Sequence, residues 1–407
     1  MAEVKIFKKE IMDNIKAKII LKPGREKSIL RYHPWIFSGA VSKMEPGIQE
    51  GDIADVFSHD NIYLATGHYQ PSSITVRLFT FEEQTINEDF WRKKLKDAID
   101  LRIKLGFFNN KDINVFRLLN AEGDGFPGLI ADYYDGILVL QAHSVGMYLH
   151  FDIFKELLKD LLGDNLKAIY DKSSGTLPHK ASLKTNDGFI FGNSDEIIVN
   201  EYGNKFLIDV VEGQKTGFFI DQRENRFLLK NFCSNKKVLN AFSYSGGFSI
   251  YALKAGANSV HSVDSSQKAI ELTNKNIDLN FKKSKDHVSI SEDVLKFLDA
   301  SDEKYDVIIL DPPAFAKHTD ALKQGLKGYF RINKKAFERL NCGGVLFTFS
   351  CSQIVSREDF KTAVFQAAAA TGRNARIIYQ LSQPADHPVS LFHPEGEYLK
   401  GLVLYVE

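Results

Sequence analysis

Four side chains that could take part in chemistry each lie at or just after the end of a predicted strand in this 407-residue sequence. They are three carboxylates and one thiol, namely Asp264, Asp293, Asp311 and Cys351. A carboxylate can accept hydrogen bonds from the hydroxyl or amino groups of a ligand, and a deprotonated thiol can bond to an electrophilic carbon. Each type also has a purely structural use, because acids close turns and a cysteine is often a small buried apolar residue. Their surroundings must decide between these uses.

A tight turn in "KKVLNAFSYSGGFSIYALKAG" connects a predicted strand to a predicted helix. The G-x-G-x-x-G pattern that holds a dinucleotide pyrophosphate is missing, but Gly246 and Gly247 let the backbone approach a ligand closely. Asp264 ends the next strand, where a carboxylate commonly accepts hydrogen bonds from ribose hydroxyls. Asp293, after a third strand, is expected within reach of an adenine amino group. Together these features favour an adenosine-type ligand without a pyrophosphate.

Apolar strands and amphipathic helices alternate from about residue 205 onward, which predicts an α/β domain with a parallel sheet and helices on both faces. Ligands of such sheets bind beyond the carboxyl ends of the strands, where all four side chains lie. The turn, the two acids and the D-P-P of "VIILDPPAF" resemble, in this order, the S-adenosylmethionine-dependent methyltransferases of the Rossmann-like class. The resemblance implies S-adenosyl-L-methionine as cofactor. Its expected contacts here are Asn240, Phe242, Ser243, Tyr244, Ser245, Gly246, Gly247, Asp264, Asp293 and Asp311.

Two further cofactor contacts are expected in "VEGQKTGFFIDQRENRFLL", a segment that folds over the cofactor in the family it resembles. They are Gln222 and Arg223, the latter suited to the methionine carboxylate through its two parallel donors. The alternative is an ordinary helix start with Asp221 as its cap.

A methyl donor beside the thiol of Cys351 suits methylation at C5 of a pyrimidine. C5 of cytosine or uracil is too weak a nucleophile unless a thiolate first adds at C6. Asp311 is expected to hydrogen-bond N3 as charge builds there, which requires a proton on the carboxyl. Backbone carbonyls around Pro312 and Pro313 could hold an exocyclic amine, and this contact would favour cytosine over uracil.

The rest of the chain predicts two smaller domains before the α/β domain. Short strands broken by turn residues indicate an all-β domain over residues 16–82. A helical linker and a central α+β domain are expected over 83–204, and the methyltransferase domain over 205–407.

Nearly the entire chain resembles the large-subunit ribosomal RNA 5-methylcytosine methyltransferases of the RlmI type. The resemblance rests on "LKPGREKSILRYHPWIFSGAV", "NAEGDGFPGLIADYYDG", "GFFIDQRENR", "NAFSYSGGFS", "DPPAFAK" and "FTFSCSQ". It implies an N-terminal PUA RNA-binding domain, 23S ribosomal RNA as partner, and Cys351 as the nucleophile. Another RNA 5-methylcytosine class has a second cysteine after the proline of its D-P-P-like motif, where this sequence has Pro313 and Ala314. The base that removes the C5 proton is therefore unassigned.

RNA contacts are expected from the basic run "KHTDALKQGLKGYFRINKK", with Lys317 and Arg331 as phosphate contacts. Tyr329 and Phe330 interrupt the cations, an arrangement on which unpaired bases can stack; the alternative for most of these residues is a solvated helix surface. Two alternatives stay open: N-methylation of guanine in ribosomal RNA, which needs no thiol, and a non-catalytic RNA-binding assembly factor.

Composition excludes several other classes. The net charge is zero, and 44% hydrophobic with 26% charged residues is typical of a globular protein. The N-terminus has neither a signal peptide nor a membrane span, so a cytoplasmic location without membrane association is expected. The three cysteines have no ligand spacing, which predicts no metal site. The oligomeric state stays open, with a homodimer as one option.

Overall fold

The structure of the protein is a computed structural model that describes residues 17–178, 183, 185–282 and 285–407. Residues 1–16, which include most of the segment searched for a signal peptide and the first residue of the predicted all-β domain, lie outside the described part. The described chain forms two compact units. The first comprises the described residues up to Ile197 with Ile208–Gly217 and Ala385–Gly396, and the second comprises Ile198–Leu207, Phe218–Pro384 and Glu397–Glu407.

The first unit begins with a six-stranded sheet in the order β2-β6-β5-β4-β1-β3. Its strands are β1 (Ala17–Leu21), β2 (Trp35–Phe37), β3 (Val41–Met44), β4 (Ile53–Phe57), β5 (Tyr63–Tyr69) and β6 (Ile74–Thr80). Side chains alternate between the core and the surface along β1, where Ile19 and Leu21 are completely buried. One face of this sheet therefore forms a core of its own.

The same unit continues with a helix and a five-stranded sheet in the order β11-β10-β9-β8-β7. The elements are α1 (Glu88–Lys104), β7 (Val115–Asn120), β8 (Leu129–Tyr134), β9 (Ile137–Ala142), α2 (Val145–Leu149), α3 (Phe151–Leu162), β10 (Ala168–Asp171) and β11 (Gly188–Phe191). Asn87 caps α1, because its side chain accepts a hydrogen bond from Phe90 N at 3.0 Å.

Arg102 of α1 is a completely buried cation in this unit. Its guanidinium donates two hydrogen bonds to the carboxylate of Asp124, at 2.5 and 2.8 Å. It also donates to the carbonyl oxygens of Arg117 and Asp386, each at 2.8 Å. Because Asp386 belongs to the late segment Ala385–Gly396, this one side chain ties that segment to the sheet and α1.

The second unit holds most of a two-stranded sheet of β12 and β13 and a seven-stranded sheet in the order β16-β15-β14-β17-β18-β20-β19. Its elements are β12 (Ile197–Glu201), β13 (Asn204–Ile208), α4 (Arg223–Leu229), β14 (Lys237–Ala241), α5 (Gly247–Lys254), β15 (Ser259–Asp264), α6 (Gln267–Asn280), β16 (His287–Ser291), α7 (Val294–Ala300), β17 (Tyr305–Leu310), α8 (Leu322–Arg339), β18 (Leu340–Ser350), α9 (Arg357–Thr371), β19 (Ala375–Leu381) and β20 (Lys400–Val406).

The predicted alternation of strands and helices and the parallel sheet are confirmed, and the sheet also has antiparallel pairing at one side. The strands β14 to β18 are parallel, whereas β20 runs antiparallel to both β18 and β19. No α-helix separates β19 from β20, and parallel strands require a crossover, so these two strands pair as an antiparallel ribbon.

The strand order reverses at β14, which has β15 on one side and β17 on the other. Ligands of open α/β sheets bind at this reversal. Ala241 and Leu310 are partners in the last position of the β14–β17 ladder, so the segments that follow them start side by side. No helix in the described part of the chain is long and apolar enough to span a membrane.

Replacing Arg102 by Met should lower the free energy of unfolding of the first unit by about 3–5 kcal/mol, since the Asp124 carboxylate stays buried without its partner. Both tryptophans, Trp35 and Trp91, lie in this unit, so tryptophan fluorescence during urea titration measures the change. The matched control is Arg92→Met, which removes a partly exposed ion-pairing arginine from the same helix and should leave the midpoint nearly unchanged. Equal shifts in both variants would contradict the assigned role.

Candidate active site

The turn after β14 has an uncommon backbone. Phe242, Tyr244 and Gly246 have φ angles of 63°, 45° and 75°, in the left-handed region. Only glycine adopts this region without cost, so the two aromatic residues store strain that the surrounding structure must balance. A Cβ on Gly246 would lie 2.8 Å from Cγ2 of Thr273, so this position requires glycine for space as well.

Two buried side chains of α6 hold this turn in place. Thr273 Oγ1 donates to the Tyr244 carbonyl at 2.8 Å, and Asn276 Nδ2 donates to the Ser245 carbonyl at 3.0 Å. Both side chains are completely buried. The shape of the turn therefore depends on α6 and not only on the local sequence.

Asp264 fixes the same turn from the end of β15. One carboxylate oxygen accepts from Tyr244 N at 3.0 Å, and the other accepts from Ser266 N at 2.9 Å. A carboxylate has about four acceptor positions, so it can still bind ligand hydroxyls. The predicted ribose acid thus also organises the backbone of the turn.

Two buried polar atoms beside the turn have no hydrogen-bond partner among the described residues. They are Asn240 Oδ1 and Ser243 Oγ. The Asn240 amide donates through Nδ2 to Ser249 Oγ at 2.8 Å, which leaves its oxygen as an acceptor. Buried polar groups are rarely left unpaired, so these atoms fit a site for a polar ligand such as the implied cofactor.

Two hydrogen bonds from side-chain amides connect Asp311 to the start of α4. Gln222 Nε2 donates to Asp311 Oδ1 at 2.9 Å, and Asn225 Nδ2 donates to Gln222 Oε1 at 2.6 Å. Gln222 and Asn225 are both buried, so the second contact fixes which end of the Gln222 amide faces Asp311. Sequence reasoning singled out Gln222 but did not predict this role.

Arg223 and Asp293 have protein contacts that the sequence did not predict. Arg223 is completely buried, and its Nε lies 3.2 Å from the Glu224 carboxylate. Asp293 is exposed and caps α7, accepting from Lys296 N at 3.0 Å. Their cofactor contacts stay predictions. Asp221 accepts from the Tyr398 hydroxyl at 2.8 Å, a long-range contact without any local sequence signal.

Cys351 directly follows β18 and is half-buried. Its thiol donates to the Pro312 carbonyl with an Sγ–O distance of 3.7 Å, which places it against the D-P-P segment. The other cysteines have different surroundings. Cys233 is buried, and burial raises the pKa of its thiol to about 12, while Cys342 is exposed at the other end of β18.

The side chain of Tyr329 is completely buried, so the expectation that a base stacks on this ring is wrong. Its hydroxyl lies 2.9 Å from Ser350 Oγ and 2.8 Å from Ser352 Oγ, on both sides of Cys351 in sequence. The helical period explains the difference, because Tyr329 lies on the buried side of α8 with Ile332 and Ala336. Lys317 and Arg331, the expected phosphate contacts, are both exposed.

Among the described residues, no group of histidine, cysteine and acidic side chains could hold a metal ion. The arrangement instead combines a strained turn with polar ligand atoms, a held carboxylate and a thiol at the ends of β14, β17 and β18. Such a site can bind a nucleoside-type cofactor and place a nucleophile beside it.

Comparisons with known proteins agree with this geometry. A family model described as S-adenosylmethionine-dependent methyltransferase matches residues 117–389, and one described as PUA-like domain matches 19–81. The ribosomal RNA large subunit methyltransferase I of Aeromonas salmonicida is 41% identical over 95% of this chain and 98% of its own. That of Escherichia coli is 38% identical over 96% of this chain and 99% of its own.

Solved structures share the fold. One described as a SAM-dependent methyltransferase from Streptococcus mutans has a TM-score of 0.82 at 21% identity, over 95% of this chain and 99% of its own. A methyltransferase solved in complex with SAH has a TM-score of 0.83 at 21% identity, with the same coverage.

Gly246→Ala should weaken binding of S-adenosylhomocysteine, measured by calorimetry, because the new methyl group displaces Thr273 and shifts the turn. Gly256→Ala is the matched control, since Gly256 has a φ of 85° but its Cβ would meet only Ser234 Oγ, at 3.9 Å. The left-handed backbone alone costs each variant about 1–2 kcal/mol of stability. Equal affinity in the two variants would show that the turn does not shape the cofactor site.

Proposed function

The chain belongs to the S-adenosylmethionine-dependent methyltransferases and to the family of ribosomal RNA large subunit methyltransferase I, and we propose that it forms 5-methylcytosine in large-subunit ribosomal RNA. One observation carries the proposal: the Cys351 thiol lies 3.7 Å from the Pro312 carbonyl. Asp311 precedes that proline, and its backbone nitrogen lies 3.5 Å from the carbonyl oxygen of Ala241. Ala241 is the last residue before the turn after β14. The thiol proposed as the nucleophile thus lies next to the segment that borders the turn after β14.

S-adenosylmethionine supplies an electrophilic methyl group when bound. The turn after β14 and Asp264 would hold its adenosine part, with Asn240 Oδ1 and Ser243 Oγ as further polar partners. Gln222 would border the site through its contact with Asp311. The positions of these side chains around the turn support the assignments.

Cys351 begins the reaction as a thiolate that adds to C6 of the cytosine ring. A carbon–sulfur bond forms, the C5–C6 π bond breaks, and C5 gains enamine character while charge builds at N3. After C5 has been methylated, a base removes the C5 proton, and the electron pair of that bond restores the ring double bond as the carbon–sulfur bond breaks. The thiolate of Cys351 is then regenerated.

Asp311 would hydrogen-bond N3 while this charge develops. Gln222 orients the carboxyl group by donating to Oδ1, and an N–H donor by itself favours the ionised form. The carboxyl group must therefore take up a proton when the ring enters and water leaves, because desolvation disfavours the carboxylate. The protonated carboxyl group can then donate to N3.

RNA as the substrate class is supported by the PUA-like match and by the names of the relatives. The exposed Lys317 follows the D-P-P segment and Arg331 is exposed on α8, and both could bind backbone phosphates. Such contacts release counterions, so RNA affinity should fall as salt rises. A cytosine must also leave its stack before C6 can be attacked.

Replacing Cys351 by Ala should reduce 5-methylcytidine formation in ribosomal RNA to background, as measured by nucleoside mass spectrometry. The control is Cys342→Ala, which removes an exposed thiol at the other end of β18 and should keep full activity. RNA with 5-fluorocytosine at the target should form a stable adduct at Cys351, since fluorine cannot leave C5 as a cation. Methylation that persists without Cys351, or a methylguanosine product, would overturn the proposal.

A further inference from the structure

Lys400, the first residue of β20, is a buried lysine, with 3% of its surface exposed. It is the ladder partner of Ser350, and its Nζ donates to the Ser352 carbonyl at 2.7 Å. Cys351 lies between these two serines. Lys400 therefore lies opposite the residue before Cys351 and donates a hydrogen bond to the residue after it.

The charges around Lys400 do not neutralise it directly. Glu397, whose negative charge acts on Lys400, forms an ion pair with Arg357 and so already has a cationic partner. Among the residues that the structure describes, no carboxylate forms an ion pair with Lys400. Burial lowers the pKa of Lys400 to about 8, while the negative charges of Cys351 and Glu397 oppose this shift and Arg357 adds to it. A buried lysine without a carboxylate partner is uncommon, and such residues often belong to functional sites.

A nearby cation lowers the pKa of a thiol and so favours its ionised form. The contact of the Cys351 thiol with the Pro312 carbonyl uses the S–H group as donor and therefore favours the neutral thiol. The adjacent hydroxyl groups of Tyr329, Ser350 and Ser352 hydrogen-bond to one another. Burial also raises the pKa of Tyr329, so this phenol stays neutral.

We propose that Lys400 keeps Cys351 ionised for attack on the pyrimidine, on the premise that Cys351 is the nucleophile of the proposed function. The thiol proton passes to water: the S–H bond breaks, an O–H bond forms, and the ammonium group of Lys400 stabilises the thiolate by its positive charge. No electrons are exchanged. Lys400 acts through Cys351 and is therefore a positioning residue, and it is separate from the base that removes the C5 proton.

The test measures the rate of iodoacetamide alkylation at Cys351 against pH, resolved by peptide mass spectrometry on the full chain. In the native protein, the Cys351 profile should rise at lower pH than that of the exposed Cys342, which serves as internal reference. Lys400→Met should move the Cys351 profile to higher pH and slow alkylation at pH 7 about tenfold or more, since a thiol whose pKa is higher by about one holds roughly a tenth of the thiolate at that pH. Lys400→Arg should restore most of the rate because the positive charge is kept.

The control is Lys361→Met, which removes an exposed lysine from α9 and should change neither profile. Superimposed Cys351 profiles for the native and Lys400→Met proteins would overturn the proposal. If that variant does not fold, a native Cys351 profile that lies at or above that of Cys342 would overturn it as well. Neither result depends on RNA, so failure of this inference is distinguishable from failure of the Cys351 mechanism, which Cys351→Ala tests by methylation.

Discussion

The strained turn after β14 is the constraint on which the candidate site depends. Two non-glycine residues in the left-handed region would relax if they were not held, and three side chains hold them. The Asp264 carboxylate accepts a hydrogen bond from a backbone nitrogen of the turn. The side chains of Thr273 and Asn276 donate hydrogen bonds to two carbonyl oxygens of the turn. The turn is thus fixed by β15 and α6, which follow it in the chain. Its shape is set before any ligand binds, which lowers the ordering cost of binding.

The positions of the main candidate side chains could be predicted from the sequence because they depend on local patterns. Apolar runs mark strands, and the residue after a run lies at the carboxyl end of a strand. The register of β14 with β17 then brings Asp311 beside the turn, and the parallel pairing of β17 with β18 brings Cys351 to the same edge. Strands that are connected through helices generally pair in parallel, so these positions could be predicted without knowledge of specific contacts.

Contacts between distant side chains could not be predicted in this way. The Gln222–Asn225 pair is set by amide orientation, and neither residue type reveals it. Tyr329 looked like part of a basic surface because its neighbours are cationic, yet the helical period directs it inward. Lys400 comes next to Cys351 only because β20 is antiparallel and lies inside the sheet. A lysine in a strand carries no sign of such a partner.

The chain passes back and forth between the two units. Ile198–Leu207 belongs to the second unit, whereas Ile208–Gly217 and Ala385–Gly396 belong to the first. During synthesis, neither unit can therefore complete its fold from one contiguous segment. The first unit needs Asp386, whose carbonyl accepts from Arg102, and the second unit needs β20. A fragment cut at any single boundary would lack part of one interior. We therefore expect the two units to complete their folding together, and not one after the other.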